Sequence, residues 1–265
     1  MSIVHEYLDL AVSLAHEAGA FALSAQSGKL EVHSKTNDFD LVTHVDKHNE
    51  ELIKSGVANH FPDHDFLGEE GSKTEKHSDV KWIVDPIDGT LNYAHGLPIW
   101  CISIGIEVAG NLECGVIYDP SREEIFTVIR GAGAYRNNER ISVSKQNDPA
   151  RSMYVTGFPY NISENPYNDI ERFERFLRKG LIIRRLGSAA LDLAYVACGR
   201  FDAFYEGGLS PWDTAAGALM VREAGGRVTH FDGNEYSVYK KSLIASNGIQ
   251  HPFLEELVRG EFFRM

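Results

Sequence analysis

The apolar runs of this chain change pattern halfway along, and this change limits the folds that it can adopt. The turn-forming segments Ala109-Gly110-Asn111 and Asn137-Asn138 are short enough to join antiparallel strands. The β-prone runs around them are Cys101–Val108, Leu112–Tyr118, Glu124–Arg130 and Gly133–Ile141. After Pro149, helical and strand-like runs alternate, which is typical of a second α/β layer. We therefore predict a mixed α/β (α+β) fold.

A linker around Ser144–Arg151 divides the chain into an N-terminal α+β half, residues 1–145, and a C-terminal α/β half, residues 146–265. An amphipathic helix over Ser2–Gln26 should pack on the sheet of the first half. The predicted helices of the second half are Tyr167–Arg178, Ser188–Cys198, Trp212–Ala224 and a last one from Pro252. Its predicted strands are Leu181–Leu186, Phe201–Tyr205, Arg227–His230 and Ser242–Ser246.

Composition excludes several functional classes. With 265 residues and 43% hydrophobic content, the chain can bury a large core. Its formal net charge of −12, without a long basic cluster, argues against a direct nucleic-acid ligand. The three widely spaced cysteines are typical of reduced core thiols, and we find no secretory or membrane signal in the sequence. We expect a cytoplasmic protein that binds neither nucleic acid nor membranes directly.

The first candidate site is the segment Val80–Thr90. Its β-prone run Trp82-Ile83-Val84 leads into Asp85-Pro86-Ile87-Asp88-Gly89-Thr90, which places two carboxylates at a strand end. Open α/β sheets bind ligands at such ends. Two like charges at ~4 Å repel by about 4 kcal/mol even at an effective dielectric of ~20, so both acids can be buried and ionised only with a counter-charge. A divalent cation would provide it, and a solvated turn is the alternative interpretation.

Two further segments supply acids in similar settings. Gly68-Glu69-Glu70 closes a short apolar stretch, and Asp213 lies in the first turn of the helix that Pro211 opens. The N-terminus of a helix favours negative charge. Each segment also has a structural interpretation, as an acidic loop for the two glutamates and as a capping acid for Asp213.

Together these segments resemble the signatures of the inositol monophosphatase family, a family of magnesium-dependent, lithium-sensitive phosphatases. The matching stretches are Gly68-Glu69-Glu70, Asp85-Pro86-Ile87-Asp88-Gly89-Thr90-Leu91-Asn92-Tyr93, and Trp212-Asp213-Thr214-Ala215-Ala216-Gly217 ending in Glu223-Ala224-Gly225-Gly226. One departure is Tyr93, where many members carry phenylalanine. The resemblance implies the layered αβαβα sandwich of the inositol monophosphatase and fructose-bisphosphatase superfamily, and a homodimer.

The resemblance also implies a set of metal ligands and catalytic residues. Two or three Mg²⁺ ions, with Mn²⁺ as a substitute, would bind Glu69, Asp85, the Ile87 carbonyl, Asp88 and Asp213. Hard oxygen ligands of this kind select Mg²⁺ or Mn²⁺ over zinc. Such ions clamp phosphate oxygens and activate a water. Thr90 and Asp46, with Glu69, would orient and deprotonate the water for in-line attack, without a phosphoenzyme.

Asp46 closes the segment Lys35–Asp46, which resembles the amino-terminal signature of the family. From the residues alone, the segment reads as a strand whose last residue, Asp46, caps a helix over Lys47–Asn59, and a cap is worth roughly 1 kcal/mol. Capping and water activation are compatible roles. His44 would then lie in the strand, which argues against a zinc pair with His48. Lys35 either screens the phosphate charge or contacts only solvent.

The contacts to the substrate are specified less closely. The backbone at Gly89 and Thr90 suits a phosphate group, since glycine allows a close approach and a helix begins there. In family members that act on inositol phosphate, a glutamate at the position of Glu206 binds ring hydroxyls. Ser188 and Ala189 would contact the same ring, and Ser188 is equally suited to cap its helix. Lys35 and Asp213 complete the expected substrate contacts.

These observations lead us to expect a Mg²⁺-dependent hydrolase of a small sugar or polyol phosphate monoester, with inositol 1-phosphate as the first candidate. Within the same superfamily, the alternatives are NADP(H) 2′-phosphate, fructose 1,6-bisphosphate and adenosine 3′,5′-bisphosphate. An alternative of another class is a regulatory partner of the transcription or RNA-processing machinery, a role reported for some bacterial relatives. The intact set of acids argues against a purely non-catalytic protein.

Overall fold

The computed structural model describes residues 2–26, 32–34, 41–159 and 169–260, and these form five layers in the order helix, sheet, helix, sheet, helix. The helices of these residues are α1 (Ile3–Gln26), α2 (His44–His60), α3 (Thr90–Ala94), α4 (Asp169–Arg178), α5 (Ala189–Ala197), α6 (Pro211–Glu223) and α7 (His251–Arg259). The layer order confirms the predicted αβαβα fold.

The strands fall into two large sheets and one small one. The small sheet pairs β1 (Val32–Ser34) with β2 (Leu41–Thr43). The first large sheet has the order β10-β9-β8-β7-β6-β5-β3-β4, and the second has the order β12-β11-β13-β15-β14. Their strands are β3 (Asp65–Gly68), β4 (Lys73–Thr74), β5 (Val80–Asp88), β6 (Cys101–Val108), β7 (Asn111–Asp119), β8 (Glu124–Ile129), β9 (Gly133–Arg136), β10 (Glu139–Arg140), β11 (Met153–Thr156), β12 (Ile182–Arg184), β13 (Ala203–Gly207), β14 (Arg227–Thr229) and β15 (Ser242–Ser246).

The hairpins of the first sheet form where the turns were predicted. Ala109 and Gly110 connect β6 to β7 with φ values of 49° and 78°, and Asn137 and Asn138 connect β9 to β10 with φ values of 49° and 67°. Positive φ at both central residues matches the right-handed twist of the strands that such a turn joins. Consecutive strands from β5 to β10 are therefore antiparallel neighbours.

Three apolar cores lie between the five layers and hold them together. Helices α1 and α2 cover one face of the first sheet, with fully buried Ala11, Ala15, Ala18 and Ala22 lining α1. Gly19 allows α1 to pack closely on the sheet, because a Cβ at this position would lie only 2.6 Å from the ring of Tyr118. Helices α5 and α6 fill the space between the two sheets, and α4 and α7 cover the outer face of the second sheet.

Several predicted boundaries are corrected by the structure. Strand β5 continues through Asp88 instead of ending before Asp85. Strand β12 is shorter than predicted, because only Ile182–Arg184 pair with β11. Residues 167 and 168 of the predicted fourth helix lie outside the described residues. No helix in the described part of the chain has the length and apolar character needed to cross a membrane. The division into halves at residue 145 stays a prediction.

Candidate active site

The candidate active site is centred on the irregular end of β5. The pairing of β5 with β6 shifts register between Asp85 and Asp88, so that these acids are opposite Ser103 and Cys101. Such a bulge re-aims side chains, and Pro86 within it has no N–H to give to the ladder. Asp85 and Asp88 are only 2% and 8% exposed. Both predicted metal ligands are therefore buried, which rules out the solvated-turn interpretation.

Glu69 reaches this point because β3 runs parallel to β5. Gly68, the last residue of β3, pairs with Val84, and the Glu69 N–H donates to the Val84 carbonyl at 3.2 Å. The carboxyl group of Glu69 hydrogen-bonds to that of Asp85. This contact contributes to raising the pKa of Asp85, because one carboxyl can donate a hydrogen bond to another only when it carries a proton.

Asp213 is brought in by close packing of α6 against the first sheet. Gly105 of β6 and Gly115 of β7 pair directly, and a Cβ on either would lie 2.6 Å from Ala215 Cβ or 2.9 Å from Ala216 Cβ. Two glycines thus form a groove that lets the start of α6 approach the sheet. Asp213 lies in the first turn as predicted, where it accepts a hydrogen bond from the Ser210 N–H at 2.7 Å.

The charges of these acids identify the kind of ligand that the site can accept. Burial raises the pKa of Asp85 well above its usual value, and the charges of Glu69, Asp88 and Asp213 raise it further. Burial likewise raises the pKa of Asp88 to about 6, although hydrogen bonds from Ser188 and Ala190 oppose the shift. A divalent cation would offset both the free-energy cost of burying these carboxylates in their charged form and the repulsion between them.

The geometry of the acids differs from that of a complete coordination shell. Within the described ranges, no three His, Cys, Asp or Glu side chains are arranged to hold a metal ion ready-made. The acids contact protein donors, as Asp88 and Asp213 do, or one another, as Glu69 and Asp85 do. The donor set of carboxylate and carbonyl oxygens fits Mg²⁺, which prefers hard oxygen ligands and completes its shell with water and substrate phosphate.

Asp88 is also held by the second half of the chain. Its Oδ2 atom accepts hydrogen bonds from the Ser188 hydroxyl at 2.6 Å and the Ala190 N–H at 2.7 Å, and the Ala189 N–H also donates to this carboxylate. Ser188 occupies the N-cap position of α5, but its side chain makes no capping hydrogen bond. Neither sequence interpretation of Ser188 anticipated this contact, which ties the start of α5 to the end of β5.

The predicted pair of Thr90 and Asp46 is assembled in the structure. The Thr90 hydroxyl lies 2.9 Å from Asp46 Oδ1 and 3.0 Å from the Ile87 carbonyl, and it shares its one proton between these acceptors. Asp46 is fully buried, and this burial raises its pKa, against the effect of hydrogen bonds from Thr43 and Thr90. The two residues therefore form a buried hydroxyl–carboxylate pair. It lies beside the acid cluster, by which we mean Glu69, Asp85, Asp88 and Asp213.

The interpretation of Asp46 as an N-cap is wrong. Helix α2 begins at His44, with Thr43 as its cap, and Asp46, the third residue of the helix, completes a capping box with Thr43. Asp46 Oδ2 accepts from the Thr43 N–H at 2.8 Å and from its hydroxyl at 2.5 Å. The capping box satisfies two donors at once, which a cap at Asp46 would not do.

His44 is therefore in α2 and not in a strand, so that argument against zinc is also wrong. His48 does lie one turn further on the same helix, but its ring stacks on Phe21 with a centroid separation of 3.7 Å. No metal-binding group that includes either histidine is found in the described part of the chain.

Gly89 and Thr90 form the predicted turn into a helix. Gly89 has a φ of 97° and precedes α3, which spans Thr90–Ala94. An added Cβ at Gly89 would lie 2.9 Å from the Ile99 carbonyl oxygen and 3.2 Å from that of Gly187. Glycine is thus required by backbone conformation and by packing, and close approach of an anion remains a prediction.

Glu206 and a second acid, Asp192, lie on the side of the site that the second half forms. Burial raises the pKa of Glu206 well above its usual value, with further contributions from Asp213, Asp169 and Asp88. Asp192 of α5 is 1% exposed, its Oδ1 has no hydrogen-bond partner, and burial and the charges of Glu206 and Asp88 raise its pKa. Lys35, the remaining predicted contact, lies outside the described residues.

Sequence reasoning missed four residues of this site. Asp192, Glu50 and Asn49 were not assigned to the site, and Cys101 was interpreted only as a core thiol. Cys101 Sγ lies 3.8 Å from both Asp88 Oδ2 and Ser188 Oγ. The spacing of Asp46 and Glu50, one helical turn apart, is the signal that could have identified Glu50.

Comparisons with known proteins place the chain in a family. The model of the inositol monophosphatase family matches residues 4–261, so the chain belongs to this family. "Nus factor SuhB" of Pasteurella multocida is 40% identical over 243 residues, covering 90% of each protein.

Solved structures agree with this membership. An inositol monophosphatase from Anabaena superposes with a TM-score of 0.87 at 38% identity, covering 97% of this chain and 96% of the other. The extragenic suppressor protein suhB from Bartonella henselae gives a TM-score of 0.89 at 36% identity, covering 97% of this chain and all of the other. Members of the family are generally Mg²⁺-dependent, which agrees with the donor set described above.

Proposed function

We propose that the chain is a Mg²⁺-dependent, lithium-sensitive phosphatase that hydrolyses a small polyol or sugar phosphate monoester, with inositol 1-phosphate as the first candidate. The observation that carries this proposal is the buried 2.9 Å hydrogen bond between Thr90 and Asp46, beside the acids of β5. Membership of the inositol monophosphatase family supports the reaction class.

Thr90 and Asp46 would orient the attacking water and accept its proton. While the Thr90 hydroxyl donates to Asp46, its lone pairs are available to accept a hydrogen bond from the water. The raised pKa of Asp46, caused by burial, makes it a stronger base than a solvated carboxylate. One proton-transfer group of this kind contributes typically ~10²- to 10⁴-fold to the rate, so further stabilisation of the phosphate is required.

That stabilisation is the proposed role of the acid cluster. The cations would be held by the side chains of Glu69, Asp85, Asp88 and Asp213 and the carbonyl of Ile87. When bound, they would neutralise phosphate charge and activate the attacking water. Among these residues, Asp88 is the one whose second oxygen is already occupied by α5, so its orientation toward a cation is set by the protein.

The charge on the other side of the site favours a neutral polyol as leaving group. Polyol hydroxyls can donate to a carboxylate or accept from a carboxylic acid, so they suit Glu206 and Asp192 in either protonation state, whereas a second phosphate would add negative charge beside these buried acids. This argues for inositol phosphate over fructose 1,6-bisphosphate, NADP(H) or adenosine 3′,5′-bisphosphate. The positive charge of Arg185 opposes the raised pKa of Glu206 without cancelling it.

A panel of phosphate esters tests the proposal directly. Phosphate release is measured with Mg²⁺, with and without lithium, on inositol 1-phosphate, the three alternative substrates and a simple aryl phosphate. We expect the highest kcat/KM with inositol 1-phosphate and inhibition by lithium. If no ester releases phosphate in the presence of Mg²⁺ or Mn²⁺, the proposed function is wrong.

A second candidate function is a regulatory role in transcription. It is favoured by relatives such as the Pasteurella protein, whose name identifies it as a Nus factor. The net charge of −12 favours a protein partner over direct binding of RNA. This role does not require loss of hydrolysis, and the ester panel separates a regulatory protein that is also an enzyme from one that is not.

A further inference from the structure

Helix α2 contacts three separate segments of the candidate active site. Asp46 binds Thr90, the Asn49 side chain donates to the Pro86 carbonyl at 3.4 Å, and Glu50 accepts backbone N–H groups of the segment that follows β3. Asp46 and Glu50 lie one turn apart, so they share a face of the helix. The contact made by Glu50 has no part in the chemistry proposed above.

Glu50 holds this segment with both oxygens of its carboxylate. Oε2 accepts from the Glu70 N–H at 2.6 Å, and Oε1 accepts from the Ser72 N–H at 2.8 Å. The residue is only 2% exposed. Hydrogen bonds to a charged acceptor are roughly twice as strong as those between neutral groups, and two of them leave the carboxylate no rotational freedom.

Gly68 explains how Glu50 can come so close. A Cβ at Gly68 would lie 2.2 Å from Glu50 Oε2, much nearer than a van der Waals contact. Any side chain at this position would displace the carboxylate. The glycine of the Gly68-Glu69-Glu70 stretch is therefore required by Glu50, which the sequence stretch itself does not contain.

Two hydrogen bonds hold the backbone on either side of the Glu69 side chain. Its own N–H donates to Val84 at the end of β5, and the next N–H, that of Glu70, donates to Glu50. The backbone on both sides of Glu69 is thus attached, to the strand that carries Asp85 on one side and to α2 on the other. This arrangement determines the direction in which the Glu69 side chain leaves the backbone.

We propose that Glu50 is a positioning residue that directs Glu69 toward Asp85 and thereby sets the affinity of the site for Mg²⁺. The inference rests on the proposed function through the role of Glu69 as a metal ligand. Groups that orient metal ligands in this way typically change metal affinity ~10- to 100-fold when they are removed.

The test compares Glu50→Gln with Glu51→Gln, the same change at the neighbouring position. Glu51 has a side chain that is 65% exposed and pairs with Lys54 on the outer face of α2. In Glu50→Gln, the amide group places its NH₂ against one of the two backbone N–H groups. Hydrogen exchange at the Glu70 and Ser72 amides is measured without Mg²⁺, and Mg²⁺ affinity is measured by calorimetry.

We expect Glu50→Gln to exchange faster at both amides and to bind Mg²⁺ about 10- to 100-fold more weakly. Turnover should recover toward the wild-type kcat when Mg²⁺ is raised, and Glu51→Gln should match the wild type throughout. Faster exchange with unchanged Mg²⁺ affinity would mean that Glu50 is only structural, and this overturns the inference. If Glu50→Gln does not fold, Glu50→Asp, which keeps the charge and shortens the side chain, is judged by the same criteria.

The outcome also separates this inference from the proposed function. If the wild type binds Mg²⁺ more tightly than Glu50→Gln does but hydrolyses no ester, only the proposed function is refuted. A wild-type protein that binds no Mg²⁺ would overturn the inference as well.

Discussion

The Thr90 hydroxyl donates to Asp46 Oδ1 across 2.9 Å, although 44 residues separate the two in the chain. Thr90 begins α3 at the end of β5, and Asp46 lies in the first turn of α2. The other oxygen of Asp46 is occupied by Thr43, the cap of its own helix. A local helix start thus holds Asp46 in the orientation that reaches Thr90.

Replacing Thr90 by alanine should lower kcat by about 10²- to 10⁴-fold, because the hydroxyl that orients the water is lost. Thr90→Ser retains the hydroxyl and serves as the matched control. Both variants are assayed at saturating Mg²⁺ with inositol 1-phosphate. A Thr90→Ala enzyme as fast as the wild type would exclude this residue from the chemistry.

Asp88→Asn should abolish hydrolysis and weaken Mg²⁺ binding while the protein stays folded. The amide removes one charge from the acid cluster, and it has about the same size as the carboxylate that Ser188 and Ala190 contact. Calorimetric Mg²⁺ titration and circular dichroism check the two expectations. Asp9→Asn, at an exposed position of α1, is the control for loss of one negative charge. Unchanged turnover in Asp88→Asn would contradict the assignment of Asp88 to the metal site.

Glu206→Ala should raise KM for inositol 1-phosphate by about 10-fold or more and leave KM for a simple aryl phosphate nearly unchanged. A carboxylate that binds a substrate hydroxyl contributes roughly 1.5–3 kcal/mol, whereas an aryl group offers it no hydroxyl. Steady-state kinetics with both substrates provide the comparison. Equal effects on the two substrates would argue against recognition of a polyol.

Stability should fall as the pH drops from about 6.5 toward about 4 because of His251. This side chain is fully buried between the hydroxyls of Thr229 and Ser246, at 2.9 and 2.8 Å. Burial, with smaller effects of Arg227 and Arg259, lowers its pKa to about 4. In this pH range the unfolded chain gains a proton on His251 that the folded protein does not, so unfolding becomes easier.

The contribution of His251 is measured by urea unfolding at pH 7 and at pH 4.5. His251→Gln removes the titrating group, so its unfolding free energy should depend less on pH than that of the wild type, by on the order of 2 kcal/mol. His5→Gln, on the exposed start of α1, is the matched control. The same pH dependence in His251→Gln and wild type would mean that other groups cause the acid sensitivity.

Much of the site could be predicted from the sequence because its chemistry is concentrated in short segments. The run from Trp82 to Thr90 combines a strand, two acids and a glycine turn, and only the end of the strand, which continues through Asp88, differs from the prediction. The first turn of α6 and the hairpin turns were likewise predicted, since proline, glycine and asparagine impose local backbone conformations. The start of α2 was placed incorrectly because Thr43 and Asp46 are both good caps, and the capping box decided between them.

The sequence by itself determined the acids, the turns and the family, because these depend on residue type and on neighbours in the chain. Only the tertiary structure decided which donors hold those acids. Ser188 binds Asp88 from 100 residues away, and Glu50 binds the backbone beside Glu69 from 20 residues away. Such contacts depend on how the layers pack, since a hydrogen bond requires a donor and an acceptor to meet within about 3 Å whatever their separation in the chain.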